Sequence, residues 1–167
     1  MTSWLESKAP TRFDHLLIST AIKDTLSTAS TGTNPPHLLL SGPNGVGKTA
    51  IMRMLARQLL GPGWQSTTHI LNAKDLSRMP GAMKLFEEFI RPSGSSNTLA
   101  GPTSLDIFTD SLAEVPDDPG PPSGHETFNN FSDGRIKLSR IIVIEDADYL
   151  GNLRQAYLRR MMEQSSL

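Results

Sequence analysis

The stretch Gly42-Pro43-Asn44-Gly45-Val46-Gly47-Lys48-Thr49 decides how this chain is expected to fold. It matches the pattern G-x-x-x-x-G-K-[S/T] at every fixed position, and its glycines let backbone amides turn inward on an anion. An apolar run, His37 to Ser41, precedes it, and Lys48 to Leu60 has apolar residues at helical spacing. A strand before and a helix after are the context that this motif needs. The sequence therefore predicts a loop that binds phosphate groups.

Each residue type in this loop has a chemical reason. The helix that starts near Lys48 directs unpaired N–H groups and the positive end of its dipole at the anion. Lys48 is predicted to reach the β- and γ-phosphates, and Thr49 to offer its hydroxyl to Mg²⁺. The predicted nucleotide-binding residues are Gly42, Pro43, Asn44, Gly45, Val46, Gly47, Lys48 and Thr49.

An acidic group is expected at the end of a second strand. The run Ile141 to Ile144 is typical of a buried strand, and Glu145 and Asp146 follow it directly. Ligands bind at the carboxyl edge of open α/β sheets, where these side chains would lie. We predict that Glu145 holds Mg²⁺, through water, and that Asp146 orients or deprotonates an attacking water. Together with Lys48, they form the predicted catalytic set.

The remaining pattern alternates helices and strands. Asp14 is a candidate N-cap for a helix through about Ala29, Thr68 to Asn72 is a second strand candidate, and helices are expected over Met83 to Ile90 and Leu150 to Glu163. This order predicts an α/β fold in which helices flank a parallel sheet.

Composition bounds the function. The 167 residues fit one domain and contain no cysteine, which excludes disulfides, thiol nucleophiles and cysteine-ligated metals. The four histidines are scattered without metal-ligand spacing. No apolar run is long enough to span a membrane, and Met1 to Lys8 contain no signal peptide. We expect an intracellular protein with no membrane partner, cytoplasmic in a prokaryote and nuclear in a eukaryote.

The net charge is −1, but the charged residues are unevenly distributed along the chain, with an acidic insert at residues 92–134. Residues 92–134 contain seven of the 17 acids, no Lys or Arg, and six of the 12 prolines. The rest of the chain therefore has 16 basic residues against 10 acidic ones, a surplus that permits nucleic-acid binding but is equally typical of a solvated surface. We expect residues 92–134 to form a surface loop or a disordered insert that serves as a solvated linker, with a short helix around Leu105 to Leu112.

Several pieces, in one order, resemble the AAA+ ATPases and, among them, the replication factor C type of sliding-clamp loader subunit. Glu145-Asp146-Ala147-Asp148 resembles that family's Asp-Glu-Ala-Asp box, and Leu71 to Asp75 resembles its Leu-Asn-Ala-Ser-Asp segment. The most family-specific signal is the helix that contains Gln155, Leu158-Arg159-Arg160 and Met162-Glu163. The short stretch that contains Trp4, Lys8, Pro10 and Phe13 adds to the likeness.

The resemblance implies a P-loop NTPase (AAA+) core over residues 1–167, incomplete at the C-terminus and interrupted by the 92–134 insert. It implies ATP and Mg²⁺ as cofactors. It also implies a hetero-oligomeric ring of clamp-loader subunits, with a sliding clamp and primer-template DNA as partners. In that family, ATP binding and hydrolysis drive loading of the clamp.

The order of the two acids departs from the family. Here Glu145 precedes Asp146, so the metal ligand is one methylene longer and the water-activating arm one methylene shorter. A positional error of about 1 Å can lower a rate on the order of a hundredfold. A hydrolysis-deficient AAA+ module that binds ATP and serves a structural or regulatory role is therefore the alternative. A small phosphate-loop kinase is a third interpretation, but no acceptor-binding signature supports it.

Overall fold

The structure, a computed structural model, describes residues 9–32, 34–91, 120–126 and 140–165. These residues belong to two compact units, of which the first comprises residues 1–68 and 111–141 and the second comprises residues 69–110 and 142–167. Trp4, Lys8 and the short helix expected around Leu105 to Leu112 lie outside the described residues.

The first unit is helical in its described part. A 3₁₀ turn, Phe13–His15, precedes helix α1, Thr20–Thr31, and the glycine-rich loop leads into α2, Lys48–Leu60. A short helix, α3, covers Trp64–Thr67. The core of this unit joins one face of α2 to the N-terminal turn and α1; its buried members are Phe13, Leu16, Leu26, Ile51, Met54 and Leu55.

The second unit contains a two-stranded parallel sheet. The first residue of each strand is assigned to the first unit, and all other strand residues belong to the second. Strands β1, Thr68–Asn72, and β2, Ile141–Glu145, are neighbours. The flanking helices are α4, Ala73–Ser77, α5, Ala82–Ile90, and α6, Gly151–Ser165, and a 3₁₀ turn, Ala147–Leu150, follows β2. The buried centre of this core consists of Ala73, Leu76, Phe86, Ile90 and Leu150.

The expected helix from Asp14 to Ala29 is wrong at its start. Phe13–His15 forms a 3₁₀ turn, Leu16 is extended, and α1 begins only at Thr20, after Ser19. The turn is held by a tertiary contact, because the buried Phe13 donates its backbone N–H to the carbonyl oxygen of Pro122 at 3.1 Å. Local helical spacing could not predict that contact.

The expected strand at His37 to Ser41 is also absent from the described structure. These residues form no strand in the described structure, and Leu39 remains 84% exposed while Leu40 packs against the first core. A strand requires a hydrogen-bonded neighbour as well as an apolar sequence. Within the described residues, pairing is found only between β1 and β2.

The other predictions of local structure agree with the structure. Helix α2 begins and ends where the spacing predicts, and Ile51, Leu55 and Leu59 are buried. The strands Thr68–Asn72 and Ile141–Glu145 are confirmed. On the last helix, Tyr157 and Met161 pack against the second core, whereas Leu153 is 70% exposed.

The second core depends on Phe86. Its side chain is fully buried and meets the ring of Tyr157 edge to face, with the ring centroids 6.2 Å apart. We expect Phe86→Ala to lower the free energy of unfolding by about 3–5 kcal/mol, since it leaves a cavity and removes the aromatic pair. Urea titration followed by circular dichroism measures this. Leu153→Ala, at an exposed site on α6, is the control, and equal losses would contradict the assignment of this core.

Candidate functional site

Three glycines shape the loop that precedes α2. Gly42, Gly45 and Gly47 have φ angles of 146°, 82° and 94°, a region that residues with a Cβ rarely occupy. Gly47 is the N-cap of α2, and its carbonyl oxygen accepts the first helical hydrogen bond, from the N–H of Ile51 at 2.9 Å. The loop backbone thus turns directly into a helix N-terminus, whose first amides have no intrahelical partner.

The space beside this loop is open. A Cβ built on Gly45 or Gly47 would meet no atom within 4 Å, whereas one on Gly42 would lie 3.3 Å from the side chain of Val46. At Gly45 and Gly47, glycine is therefore required by the backbone angle and not by packing. Residues Gly42 to Val46 are exposed, so an anion could approach the loop amides.

The side chain of Lys48 links the two ends of the glycine-rich loop. Its Nζ donates to the carbonyl oxygens of Gly42 and Pro43, both at 2.8 Å. The side chain is half-buried, and the neighbouring Thr49 is exposed. An ammonium group has three donors, and two of them hold the loop here, which leaves one for a ligand. The structure thus brings Lys48 together with the loop in which the sequence places it.

The acidic end of β2 lies in the second unit. Glu145 is the last residue of the strand and is half-buried, and Asp146 follows it, exposed, with φ 51° and ψ 45°. Among the described residues, Asp146 is the one non-glycine residue with a positive φ. Aspartate tolerates this left-handed conformation better than most residues, yet such angles cluster at functional sites.

Asn72 is the residue that the sequence interpretation missed as a site residue. It ends β1, the neighbouring strand, and its Nδ2 donates to Oδ2 of Asp146 at 3.2 Å. Its Oδ1 accepts from the backbone N–H groups of Lys74 and Asp75, at 3.0 and 3.1 Å, and so caps α4. The signal that could have revealed it is an asparagine between a strand and a helix, on the strand next to the acidic one.

The segment after Asp146 is anchored in the second core. The carbonyl oxygen of Asp146 accepts from the N–H of Tyr149 at 2.9 Å, which closes the 3₁₀ turn, and Leu150 is buried at its end. Nζ of Lys74 lies 5.6 Å from the centroid of the Tyr149 ring, a distance typical of a cation–π contact. The backbone on both sides of Asp146 is thus held by β2 and by this turn.

The predicted site residues fall into two groups, one in each compact unit. The loop residues Gly42 to Thr49 form the first, and Glu145 and Asp146, with Asn72, form the second. Within residues 9–32, 34–91, 120–126 and 140–165, no cluster of three or more His, Asp or Glu side chains could hold a metal ion by itself. In the same part of the chain, no helix has the length and apolar character needed to cross a bilayer.

Comparison with known proteins adds independent information. Residues 18–167 match the family described as "AAA ATPase domain". Replication factor C small subunit 2 of Pyrobaculum arsenaticum is 38% identical over 88 residues, which are 53% of this chain and 27% of that protein. The replication factor C small subunit of Methanoculleus marisnigri is 34% identical over 109 residues, 65% of this chain and 33% of that protein.

A third relative extends the same likeness. The replication factor C small subunit of Methanoregula boonei is 34% identical over 97 residues, 57% of this chain and 30% of that protein. The matched part of the chain thus spans about a third or less of the length of these curated relatives.

Asn72 has two separable roles, which paired variants can distinguish. Asn72→Ala removes the cap of α4 and the hydrogen bond to Asp146, and we expect the free energy of unfolding to fall by about 1 kcal/mol, with little dependence on salt. Asn72→Asp keeps an acceptor for the amides of Lys74 and Asp75 but places a second carboxylate against Asp146. We expect its loss to appear mainly at low ionic strength and to shrink as salt is added.

Urea titrations at low and high salt measure both variants. If the aspartate variant lost the same stability at both salt concentrations, the contact between residues 72 and 146 would not be the cause.

Proposed function

Because the chain belongs to the AAA ATPase family, we propose that it is an ATP-binding subunit of a DNA sliding-clamp loader. In this function, ATP binding and hydrolysis are coupled to loading of the clamp on primer-template DNA. The glycine-rich loop at the N-terminus of α2 carries the nucleotide part of the proposal. Similarity to replication factor C small subunits supports the clamp-loader part.

The loop fits a triphosphate. Its left-handed glycines, the open space beside Gly45 and Gly47 and the N-terminus of α2 form an anion-binding site. Lys48 would turn from the carbonyl oxygens of Gly42 and Pro43 to the β- and γ-phosphates, while the Thr49 hydroxyl would face Mg²⁺. Backbone amides of the loop would hold the remaining phosphate oxygens.

The end of β2 supplies the acids that hydrolysis needs. Glu145 would hold Mg²⁺ through water, and Asp146 would orient or deprotonate the attacking water. When bound, Mg²⁺ would neutralise charge on the phosphates. The hydrogen bond from Asn72 would fix the direction of the Asp146 carboxylate.

The proposed partners follow the same function: other subunits of a hetero-oligomeric ring, the sliding clamp and DNA. The protein would act where DNA is replicated, in the cytoplasm or the nucleus according to the organism. Three arginines on α6, namely Arg154, Arg159 and Arg160, are candidate contacts for phosphate or for a neighbouring subunit. Arg159 is paired with Glu163 at 3.0 Å, and Arg154 donates to the carbonyl oxygens of Leu150 and Tyr149, so we expect the largest contribution from the exposed Arg160.

Lys48 tests the nucleotide site. We expect Lys48→Ala to weaken the binding of ATP with Mg²⁺ by about 10- to 100-fold, because a hydrogen bond between two charged groups is lost. Isothermal titration calorimetry on the full chain measures this affinity. Lys84→Ala is the matched control, since Lys84 is an exposed lysine of α5 that pairs with Glu88 at 3.8 Å. If wild type and Lys48→Ala bound ATP with equal affinity, the assignment of the glycine-rich loop as the nucleotide site would be wrong.

A hydrolysis-deficient module is the second candidate function. Two observations favour it: the order Glu145-Asp146, opposite to the family's, and the hydrogen bond that engages Asp146 with Asn72. Such a module would bind ATP at the same loop and serve as a structural or regulatory member of a ring.

Asp146→Asn distinguishes the two candidates. Asparagine also tolerates the left-handed conformation, so the backbone should be retained while the base is lost. For an active ATPase in a reconstituted ring with DNA, we expect turnover to fall by about 100-fold or more, with ATP affinity little changed. Asp148→Asn, at an exposed acid two residues further on, is the control. A wild-type ring whose turnover does not depend on this subunit would support the second candidate.

A further inference from the structure

A glutamine in the last turn of α2 is completely buried. Gln58, on α2, has 0% of its surface exposed, which is rare for an amide side chain. A buried amide must have hydrogen-bond partners, since an unpaired one is costly. The partners of Gln58 lie 65 to 68 residues further along the chain, within the acidic insert.

Gln58 binds the main chain of that segment at three points. Its Nε2 donates to the carbonyl oxygens of Glu126, at 3.0 Å, and of His125, at 3.4 Å. Its Oε1 accepts from the backbone N–H of Ser123 at 2.9 Å. The Gln58 side chain thus forms hydrogen bonds with one backbone N–H group and two backbone carbonyl oxygens of the segment.

A second set of contacts comes from the N-terminal turn. The N–H of Phe13 donates to the carbonyl oxygen of Pro122, whose side chain is fully buried. Gly124 lies against the guanidinium of Arg12, and a Cβ at that position would be 2.7 Å from a guanidinium nitrogen. The segment is therefore held on two sides, and its φ of 77° at position 124 requires glycine.

The segment has its own internal order. The N–H of Gly124 donates to the carbonyl oxygen of Pro121 at 2.9 Å, and the N–H of His125 donates to Oγ of Ser123 at 3.1 Å. Two consecutive prolines restrict the backbone before it binds, which lowers the entropy lost on docking. The prolines and the local hydrogen bonds thus favour the turn, and the contacts with Gln58 and Phe13 hold it in its position.

We propose that α2 around Gln58, with the adjoining turn Arg12-Phe13, is a peptide-docking site whose occupant is the chain's own segment of residues 120–126. The site recognises the main chain through Gln58 and Phe13, accepts one proline side chain, and requires glycine at position 124. For residues 120–126, the structure adds these tertiary contacts to the loop that the sequence predicts.

The docking site has a consequence for the acidic insert. Helix α2 carries the glycine-rich loop at its N-terminus and Gln58 ten residues after Lys48, about 15 Å along the helix axis. The helix that presents the predicted phosphate site thus also holds part of the acid-rich, base-free stretch of residues 92–134. Docking attaches this stretch to the first unit at a defined point.

The absence of cysteine makes the docking directly measurable. In the full chain, Pro122→Cys introduces the sole thiol, at the buried position of the segment. We expect a maleimide to label it at least about tenfold more slowly in buffer than in urea, because only undocked chains expose the thiol. Adding Gln58→Ala should raise the rate in buffer at least about tenfold. Gln155→Ala, at an exposed glutamine of α6, should leave the rate unchanged.

A second variant separates undocking from general unfolding. Gly124→Ala acts on the segment and not on α2, so the helix signal in circular dichroism should be retained while labelling at position 122 accelerates. Gly81→Ala is the matched control, because Gly81 has a similar φ of 73° but open space around its Cβ position and lies in the other unit.

Two results would overturn the proposal. The first is labelling of Pro122→Cys in buffer as fast as in urea. The second is slow labelling that neither Gln58→Ala nor Gly124→Ala accelerates, since the segment would then be held by something else.

Discussion

The packing of α2 against the N-terminal turn and α1 is the constraint on which the first unit depends. Ile51, Met54 and Leu55 bury one face of the helix, and their burial fixes where its N-terminus points. The position of the glycine-rich loop depends on that packing, because Gly47 continues directly into the helix. Residues Gly42 to Val46 are exposed, while the helix that follows them is packed against the core. The same helix, through Gln58, also holds a distant segment of the chain.

In the second unit, the end of β2 is held in a similar way by its neighbours. Asp146 is placed by the strand before it and the 3₁₀ turn after it, and Asn72 of the neighbouring strand contacts its carboxylate. Because Asn72 also caps α4, the side chain that contacts Asp146 is itself held by two backbone amides. A carboxylate positioned in this way is suited to orient one water molecule, and it is also restrained by the contact. Orientation of water by Asp146 fits the proposed active ATPase, and restraint of Asp146 by Asn72 fits the proposed hydrolysis-deficient module, so both candidates are compatible with this geometry.

The agreements and errors of the sequence interpretation have a common explanation. Helix α2, β1 and β2 were predictable, since each shows its own periodicity and lies beside a clear turn or cap signal. His37 to Ser41 has the composition of a strand, but a strand also depends on a partner, which composition does not reveal. The turn at Phe13 is held by Pro122, more than a hundred residues away in sequence, which local helical spacing does not reveal. Residues 120–126 have the composition of a linker, yet Gln58 and Phe13 both hydrogen-bond to them.

The sequence by itself determined the family, the glycine-rich loop that contains Lys48 and Thr49, and the acids Glu145 and Asp146 that follow a strand. These features consist of consecutive residues whose chemistry and spacing carry the information. Only the tertiary structure decided that Asn72 meets Asp146, 74 residues away, and that Gln58 binds a segment 65 to 68 residues further on. Such hydrogen bonds form because burial brings remote polar groups together and penalises any that stay unpaired. No local pattern records which partner each group will find.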